Sequence, residues 1–516
     1  MATPGEKLAA SLEVLRNIQV QGVIGIKSAN INRVHRERLL KHGFLKEVVK
    51  GWYIAIPSDE QSGESTSWYT SFWSFCAAYL NNRFTDSYCL SADQSLQIHS
   101  GNWTVPNQLL IRSLDGPNGK TQLPFNTSLF TIKSPLPKSA EITKINGIRL
   151  LTLPSVLLHC TPLMYTNSST DMRTALAMIR DSSEVLKLLL DGGNSVIAGR
   201  LSGAFRDIGK GKIADDIIKT MQAAGYNVRE INPFEGQSPP LFYTKAVSPY
   251  VNRISLMWHE MREVVIDVFP QAPGLPGDHE KYLKSIESLY VMDAYHSLSI
   301  EKYNVTPELI ERVRSGAWDV KKNKEDLTHL NAMAARGYWQ ATQSVRESIQ
   351  RILNKENPGK VFDHDLGDWY RALFTPGVAA GIFKPSDLAG YRNNQIYISQ
   401  SKHVPPNVEA VRDCMPALFE LLIRESEASV RAVLGHFIFV YIHPYMDGNG
   451  RIARFLMNAM LASGGYPWTV VPVESRNTYM EALEIASTRQ EIKPFATFLA
   501  FLTQAGLNGT PVASLV

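Results

Sequence analysis

Residues 432–442 are apolar at nearly every step, and Val433, Phe437, Val440 and Tyr441 recur at helical spacing. The pattern predicts a buried helix that delivers His443 to its end, where Pro444 stops it. Residues 452–461 combine strong helix formers with an apolar face, which predicts a second buried helix directly after Gly448-Asn449-Gly450. The loop between them therefore abuts a helix N-terminus. Near the start of the chain the pattern changes. A helix around residues 8–17, a charged helix around residues 30–42 with Gly43 as its C-cap, and strands at residues 45–49 and 52–56 around Lys50-Gly51 predict a small helix-and-wing module. Residues 150–158 read as a strand stepping into a helix. Residues 213–224 read as a helix after Gly209-Lys210-Gly211-Lys212, a run that lacks the full P-loop spacing and is read as a plain loop. Residues 466–472 read as extended, leading into a helix that carries Arg476 and Tyr479. The prolines at 239, 240 and 249 mark a linker, and there is no internal repeat.

A chain of 516 residues exceeds one ordinary core, and 44% hydrophobic with 20% charged residues are globular values. The expected division is residues 1–60, 61–236, a linker at 237–252, and 253–516. No apolar run approaches the roughly 18 to 20 residues of a membrane helix. The opening residues lack the layout of a secretory signal, so a cytoplasmic location without a membrane partner is expected. Cys76, Cys89, Cys160 and Cys414 are scattered, as reduced buried thiols are, without metal-ligand spacing. The net charge of +4 is unevenly spread: residues 21–56 hold seven Lys/Arg against Glu37 and Glu47. Within that stretch Arg33, Arg36 and Lys50 are candidates to face DNA phosphates, against the ordinary alternative of a solvated helix face.

The densest chemistry lies at residues 443–454. Unpaired N–H groups and the positive end of a helix dipole make an anion site, and Gly448, Asn449 and Gly450 let the main chain approach phosphate oxygens. Arg451 and Arg454 lie on the first turn of the same helix, where guanidiniums can hold further oxygens. Asp447 is a hard oxygen ligand of the kind Mg²⁺ accepts alongside phosphates. His443 can take a proton from an attacking hydroxyl. Each piece alone is commonplace, a histidine beside proline or a Gly-Asn-Gly turn, and the conjunction carries the reading.

The run resembles the Fic (filamentation induced by cAMP) signature, His-Pro-Phe-x-Asp/Glu-Gly-Asn-Gly-Arg-x-x-Arg, with Tyr445 in place of Phe. The resemblance implies a Fic fold from about residue 250 onward, and an acid at position 447 implies AMP transfer from ATP where Doc-type kinases carry lysine. Gly390-Tyr391-Arg392 followed by Gln395, Ile396, Tyr397 and Ile398, and then by Val404-Pro405-Pro406, is similar to the family's β-hairpin flap, which pairs with an extended segment of the target. Tyr479 is similar to the family's wall for the nucleotide base, and equally plausible as core. Ser297 and Glu301, four apart on one helix face, resemble the inhibitory Ser/Thr-x-x-x-Glu-Gly/Asn motif, with Lys302 replacing Gly or Asn. In the family that glutamate pairs with a signature arginine, here Arg454, in competition with the ATP tail. Residues 38–45 with Gly51-Trp52-Tyr53 resemble the N-terminal winged helix of AbiEi-type antitoxins.

The expectation is thus a multidomain protein: a mainly α-helical Fic core with a β-hairpin flap and an inhibitory helix near 285–302, preceded by an α+β winged-helix and antitoxin-like region. The expected activity is AMP transfer to a protein Ser, Thr or Tyr hydroxyl, the protein's own included, with ATP and Mg²⁺. DNA and a second copy of the chain are further candidate partners. Two rivals stand beside it: a Fic enzyme that uses another nucleotide or removes AMP, and a DNA-binding regulator whose Fic half senses ATP.

Overall fold

The chain divides into two units, Met1–Pro240 with Tyr397–Val404, and Leu241–Ile396 with Pro405–Val516. The computed structural model describes residues 3–57, 60, 63–234, 248–316 and 330–515.

The first unit opens with helix α1 (Pro4–Val20), strand β1 (Ile26–Lys27), helix α2 (Arg33–Lys41) and strands β2 (Leu45–Val49) and β3 (Trp52–Ala55). The strands form an antiparallel sheet in the order β1-β3-β2. Leu15, Ile26, Ile31, Leu39, Leu45 and Tyr53 make its small core. Asn32 caps α2, its side chain accepting from the Val34 N–H, so the charged helix starts later than expected. After α3 (Thr66–Phe84) come β4 (Tyr88–Leu90), α4 (Ala92–His99), β5 (Gln108–Ser113), β6 (Gly119–Gln122) and β7 (Ser128–Lys133). They form a four-stranded sheet, β4-β5-β7-β6, in which β5 and β7 run parallel. The hairpin β8 (Ile142–Ile145) and β9 (Ile148–Leu151) steps into α5 (Leu153–His159) as the sequence predicts, and α6 (Pro162–Asn167), α7 (Ser169–Met178), α8 (Ser183–Gly192), α9 (Ser195–Asp207) and α10 (Gly211–Ala223) complete the unit. The run Gly209-Lys210-Gly211-Lys212 is a loop only in its first half: the Gly209 and Lys210 N–H groups close α9 on Arg206 and Phe205, Gly211 and Lys212 begin α10, and the Lys210 ammonium donates to the carbonyls of Ala177 and Ile179.

The second unit is helical. Its helices are α11 (Pro249–Val268), α12 (His279–Ile300), α13 (Pro307–Arg314), α14 (Leu330–Leu353), α15 (Pro358–Ala379), α16 (Val408–Arg424), α17 (Ala428–Ile442), α18 (Asn449–Ala462), α19 (Arg476–Arg489) and α20 (Lys493–Leu507). Most of the expected linker lies outside the described residues, and its last part is corrected: Pro249, Tyr250, Val251 and Asn252 are the first turn of α11, since proline suits a helix start. α17 buries all but one of its residues and α18 all but one, as their apolar sequences require. Pro307 sits in the first turn of α13, capped by Thr306, so it begins a helix as well as ending the approach from α12.

The β-hairpin expected at residues 390–406 is not formed, for no strand occurs there. Pro405 and Pro406 have no N–H to give a ladder, and side chains hold the arms instead: the Gln395 amide donates to the Pro405 carbonyl at 3.0 Å. Gln395 and Ile396 belong to the second unit. Tyr397 and Ile398 belong to the first, where the Val105 N–H donates to the Lys402 carbonyl and the Gln400 N–H to the Thr66 hydroxyl.

Candidate functional site

α17 ends at His443, whose backbone is left-handed (φ 52°, ψ 62°) and whose N–H still closes the helix on the Phe439 carbonyl. A side chain rarely adopts that conformation, and holding it costs about 1–2 kcal/mol. The ring is half-buried, and its Nδ1 lies 3.2 Å from the Val440 carbonyl. A carbonyl only accepts, so Nδ1 carries the hydrogen of the neutral imidazole and Nε2 keeps its lone pair for a proton. Burial pushes the His443 pKa down to about 4, with the Arg392 cation adding to the effect and the Val440 contact and the Glu301 and Asp447 charges opposing it.

The loop that follows is closed by one side chain. Asn449 accepts from the Tyr445 N–H at 2.9 Å and donates to the Tyr445 carbonyl at 2.8 Å. The Tyr445 ring is 2% exposed and stacks on Tyr370 at 3.9 Å, which anchors the loop in the core. Gly448 precedes α18 at φ 83°, and a Cβ there would meet the Phe374 ring at 2.7 Å, so both conformation and space demand glycine. No side chain caps α18, leaving its first N–H groups to the site. Asp447 is exposed and lies 3.2 Å from Arg451.

The two arginines are held differently. The Arg451 guanidinium sits between the faces of Tyr303 and Phe374, 5.0 and 5.1 Å from the ring centroids. Arg454 is 4% exposed and bonds the end of α12: its Nε donates to the Ser297 hydroxyl at 2.9 Å, and one terminal nitrogen donates to the Ser297 carbonyl and to Glu301 Oε1 at 2.8 Å. Burial opposes its charge, but the Glu301 carboxylate together with Tyr479 and Tyr338 outweighs that and raises the Arg454 pKa. The same Oε1 would lie 2.2 Å from a Cβ on Gly450. The carboxylate therefore rests on the open face of Gly450. The end of α12 is a Schellman turn: the Lys302 N–H returns to Ser299 and the Tyr303 N–H to Leu298, with Lys302 left-handed at φ 66°. That conformation explains why Gly or Asn suits position 302.

His443, Asp447, Gly448, Asn449, Gly450, Arg451, Arg454, Ser297 and Glu301 thus form one constellation. Tyr479 supports it from below: it is 1% exposed and its hydroxyl bonds His436 Nε2 at 2.8 Å, so as folded it is core and presents no ring to a base. Sequence reasoning missed Tyr303 and Phe374. Tyr303 lies two residues beyond Glu301, a signal available but unread, whereas nothing local marks Phe374. In the other unit Arg33 is exposed but ion-paired with Glu37, Lys50 is exposed at the β2–β3 turn, and Arg36 turns inward to the Ser28 carbonyl and the Tyr53 ring. All four cysteines are buried and free, and no described helix is long and apolar enough to cross a membrane.

Residues 364–461 match the Fic/DOC family model, and the chain contains a Fic/DOC domain. A protein adenylyltransferase Fic from Nematostella vectensis is 27% identical over 260 residues, half of this chain and 57% of that relative. One from Drosophila yakuba is 35% identical over 132 residues, 25% of this chain and 26% of that relative. The chain thus spans at most a little over half the length of these relatives. Among solved structures, Fic-1 from C. elegans has 17% identity and a TM-score of 0.35, covering 63% of this chain and 90% of its own.

Proposed function

We propose that the chain is a protein adenylyltransferase held in check by its own Glu301. The observation that carries this reading is the carboxylate of Glu301 lying on both Arg454 and Gly450, beside an uncapped helix N-terminus and a histidine with a free Nε2. With Glu301 displaced, the N–H groups of Asn449 and Gly450 and the two guanidiniums hold the ATP phosphates, the Gly448 N–H donating to Asp447 Oδ1 at 2.6 Å. His443 Nε2 takes the proton of a Ser, Thr or Tyr hydroxyl as its oxygen bonds the α-phosphorus. The bond from that phosphorus to the bridging oxygen breaks, and pyrophosphate leaves. Asp447 is the residue that would hold Mg²⁺. Among the described residues no cluster of three His, Cys, Asp or Glu could hold a metal, so the ion would take its other ligands from phosphate and water, as Mg²⁺ does. When bound it supplies neutralisation of phosphate charge.

The test is intact mass after incubation with Mg²⁺ and each nucleoside triphosphate, for the natural chain and for Glu301→Gly. Gain of one AMP per modified hydroxyl supports the reading, gain of a different nucleotide moves it to another transfer, and no gain in either protein overturns it.

A pH dependence follows from the histidine. Its folded pKa lies below its unfolded value, so between about 6.5 and 4 the unfolded chain binds a proton that the folded one refuses. The site is therefore base-competent throughout the neutral range. The transfer rate stays level above pH 6 and falls only as pH drops toward 4, while acid lowers stability over the same window. A rate profile with its midpoint near 6.5 would contradict this.

For residues 3–57 a second reading is favoured by the order α1-β1-α2-β2-β3 with exposed Lys50 at the hairpin turn: a winged helix that contacts DNA. Mobility-shift titration of the chain on its own upstream DNA, with and without ATP, supports it by a salt-sensitive shift and rejects it by none.

A further inference from the structure

Arg392 is 1% exposed, and every partner of its guanidinium is a main-chain oxygen. Nε donates to the His443 carbonyl at 2.8 Å, one terminal nitrogen to Asn394 at 3.1 Å, and the other to Pro406 and, at 3.5 Å, to Ile442. Its own N–H donates to the Pro444 carbonyl at 2.9 Å. A single residue thus takes three consecutive carbonyls at the end of α17, where a helix leaves carbonyls unpaired and its dipole is negative. The same fork joins the two arms of residues 392–406, which lack a ladder. Burial pushes the Arg392 pKa down to about 10, which leaves it charged at neutral pH.

These contacts surround the strained residue. His443 is left-handed, and its ring direction follows from its backbone and from the Nδ1 contact to Val440. Carbonyl 443 cannot rotate while Arg392 holds it, and carbonyls 442 and 444 are fixed on either side. We infer that Arg392 is a positioning residue for the general base: by gripping carbonyls 442–444 it holds His443 in the left-handed conformation that aims Nε2 into the site, and it sets the loop 392–396 in the same act. The kinetic part of this inference rests on the transferase reading above.

The experiment uses the full chain carrying Glu301→Gly, with Arg392→Ala or Arg392→Lys added. Displacement of the base by an ångström or so predicts a fall in kcat of about a hundredfold for Arg392→Ala. Affinity for Mg·ATP, read by calorimetry, stays within about twofold, because Arg392 touches no phosphate-binding group. Arg392→Lys, which keeps the charge but not the fork, folds and falls between the two. Independently of turnover, ¹⁵N NMR of the His443 ring shows the Nδ1–H tautomer in the parent and a mixture of tautomers in Arg392→Ala. Unchanged kcat in both variants, ATP affinity falling in step with kcat, or an unmoved His443 ring signal overturns the inference. Should Arg392→Ala fail to fold, Arg392→Lys decides, and parent-like turnover and ring signal there overturn it. If the parent itself transfers nothing, the transferase reading fails while the NMR comparison still decides the role of Arg392.

Discussion

Glu301→Gly is expected to raise self-labelling with Mg·ATP by roughly ten- to a hundredfold, the worth of one charge-assisted hydrogen bond of about 1.5–3 kcal/mol. Arg454 offers one terminal nitrogen to both Glu301 Oε1 and the Ser297 carbonyl, while its Nε donates to the Ser297 hydroxyl. That nitrogen cannot serve a carboxylate and a phosphate oxygen together, and the space over Gly450 cannot hold both. Removing the carboxylate frees both at once. It also leaves a buried guanidinium with fewer acceptors, so the variant melts at lower temperature than the natural chain without nucleotide, and added Mg·ATP narrows the gap. Intact mass and thermal melts on the same preparations check the two halves. Equal labelling of the two proteins would count against the brake, and a larger melting gap in the presence of nucleotide would count against shared use of Arg454.

The second large effect belongs to His443. In the Glu301→Gly background, His443→Ala is expected to lower transfer by about 10²–10⁴-fold, the usual contribution of a positioned base, with calorimetric affinity for Mg·ATP unchanged. Alanine in a left-handed position adds backbone strain, so His443→Asn is the companion variant, because asparagine tolerates that conformation. Both should be inactive and only the alanine variant should lose stability. Transfer retained by either variant would reject the role of the ring as base.

Much of the site was legible because its parts are contiguous. Periodicity places α17 and α18 on either side of the loop, and the glycines announce a backbone that must come close to something. Ser297 and Glu301 were legible by their spacing, since four residues on a helix give one face, although their partner Arg454 came from resemblance alone. The flap was not legible as a hairpin. Alternation at residues 395–398 suggests a strand, but the arms meet through Arg392 and Gln395, and no sequence displays where carbonyl oxygens will gather. Arg36 and Tyr479 show a related limit: composition places a cation or a ring on an element, and only packing decides whether it faces outward. In the first unit the two helices and strands β2 and β3 fall where the pattern placed them, strand β1 was not read, and helix ends are off by a few residues, at α2 because Asn32 provides a cap that the charge pattern obscured.

Lys302 bears on how firmly the proposed brake would hold. A lysine held at φ 66° pays about 1–2 kcal/mol that glycine would not, and it does so one residue beyond Glu301, where helix ends fray most readily. Letting go of the arginine then requires only the last turn of α12 to unwind, with no element undocked. Under the proposed brake the idle state would accordingly be shallow, with a slow basal transfer, steeper with temperature than the chemistry itself, as its signature.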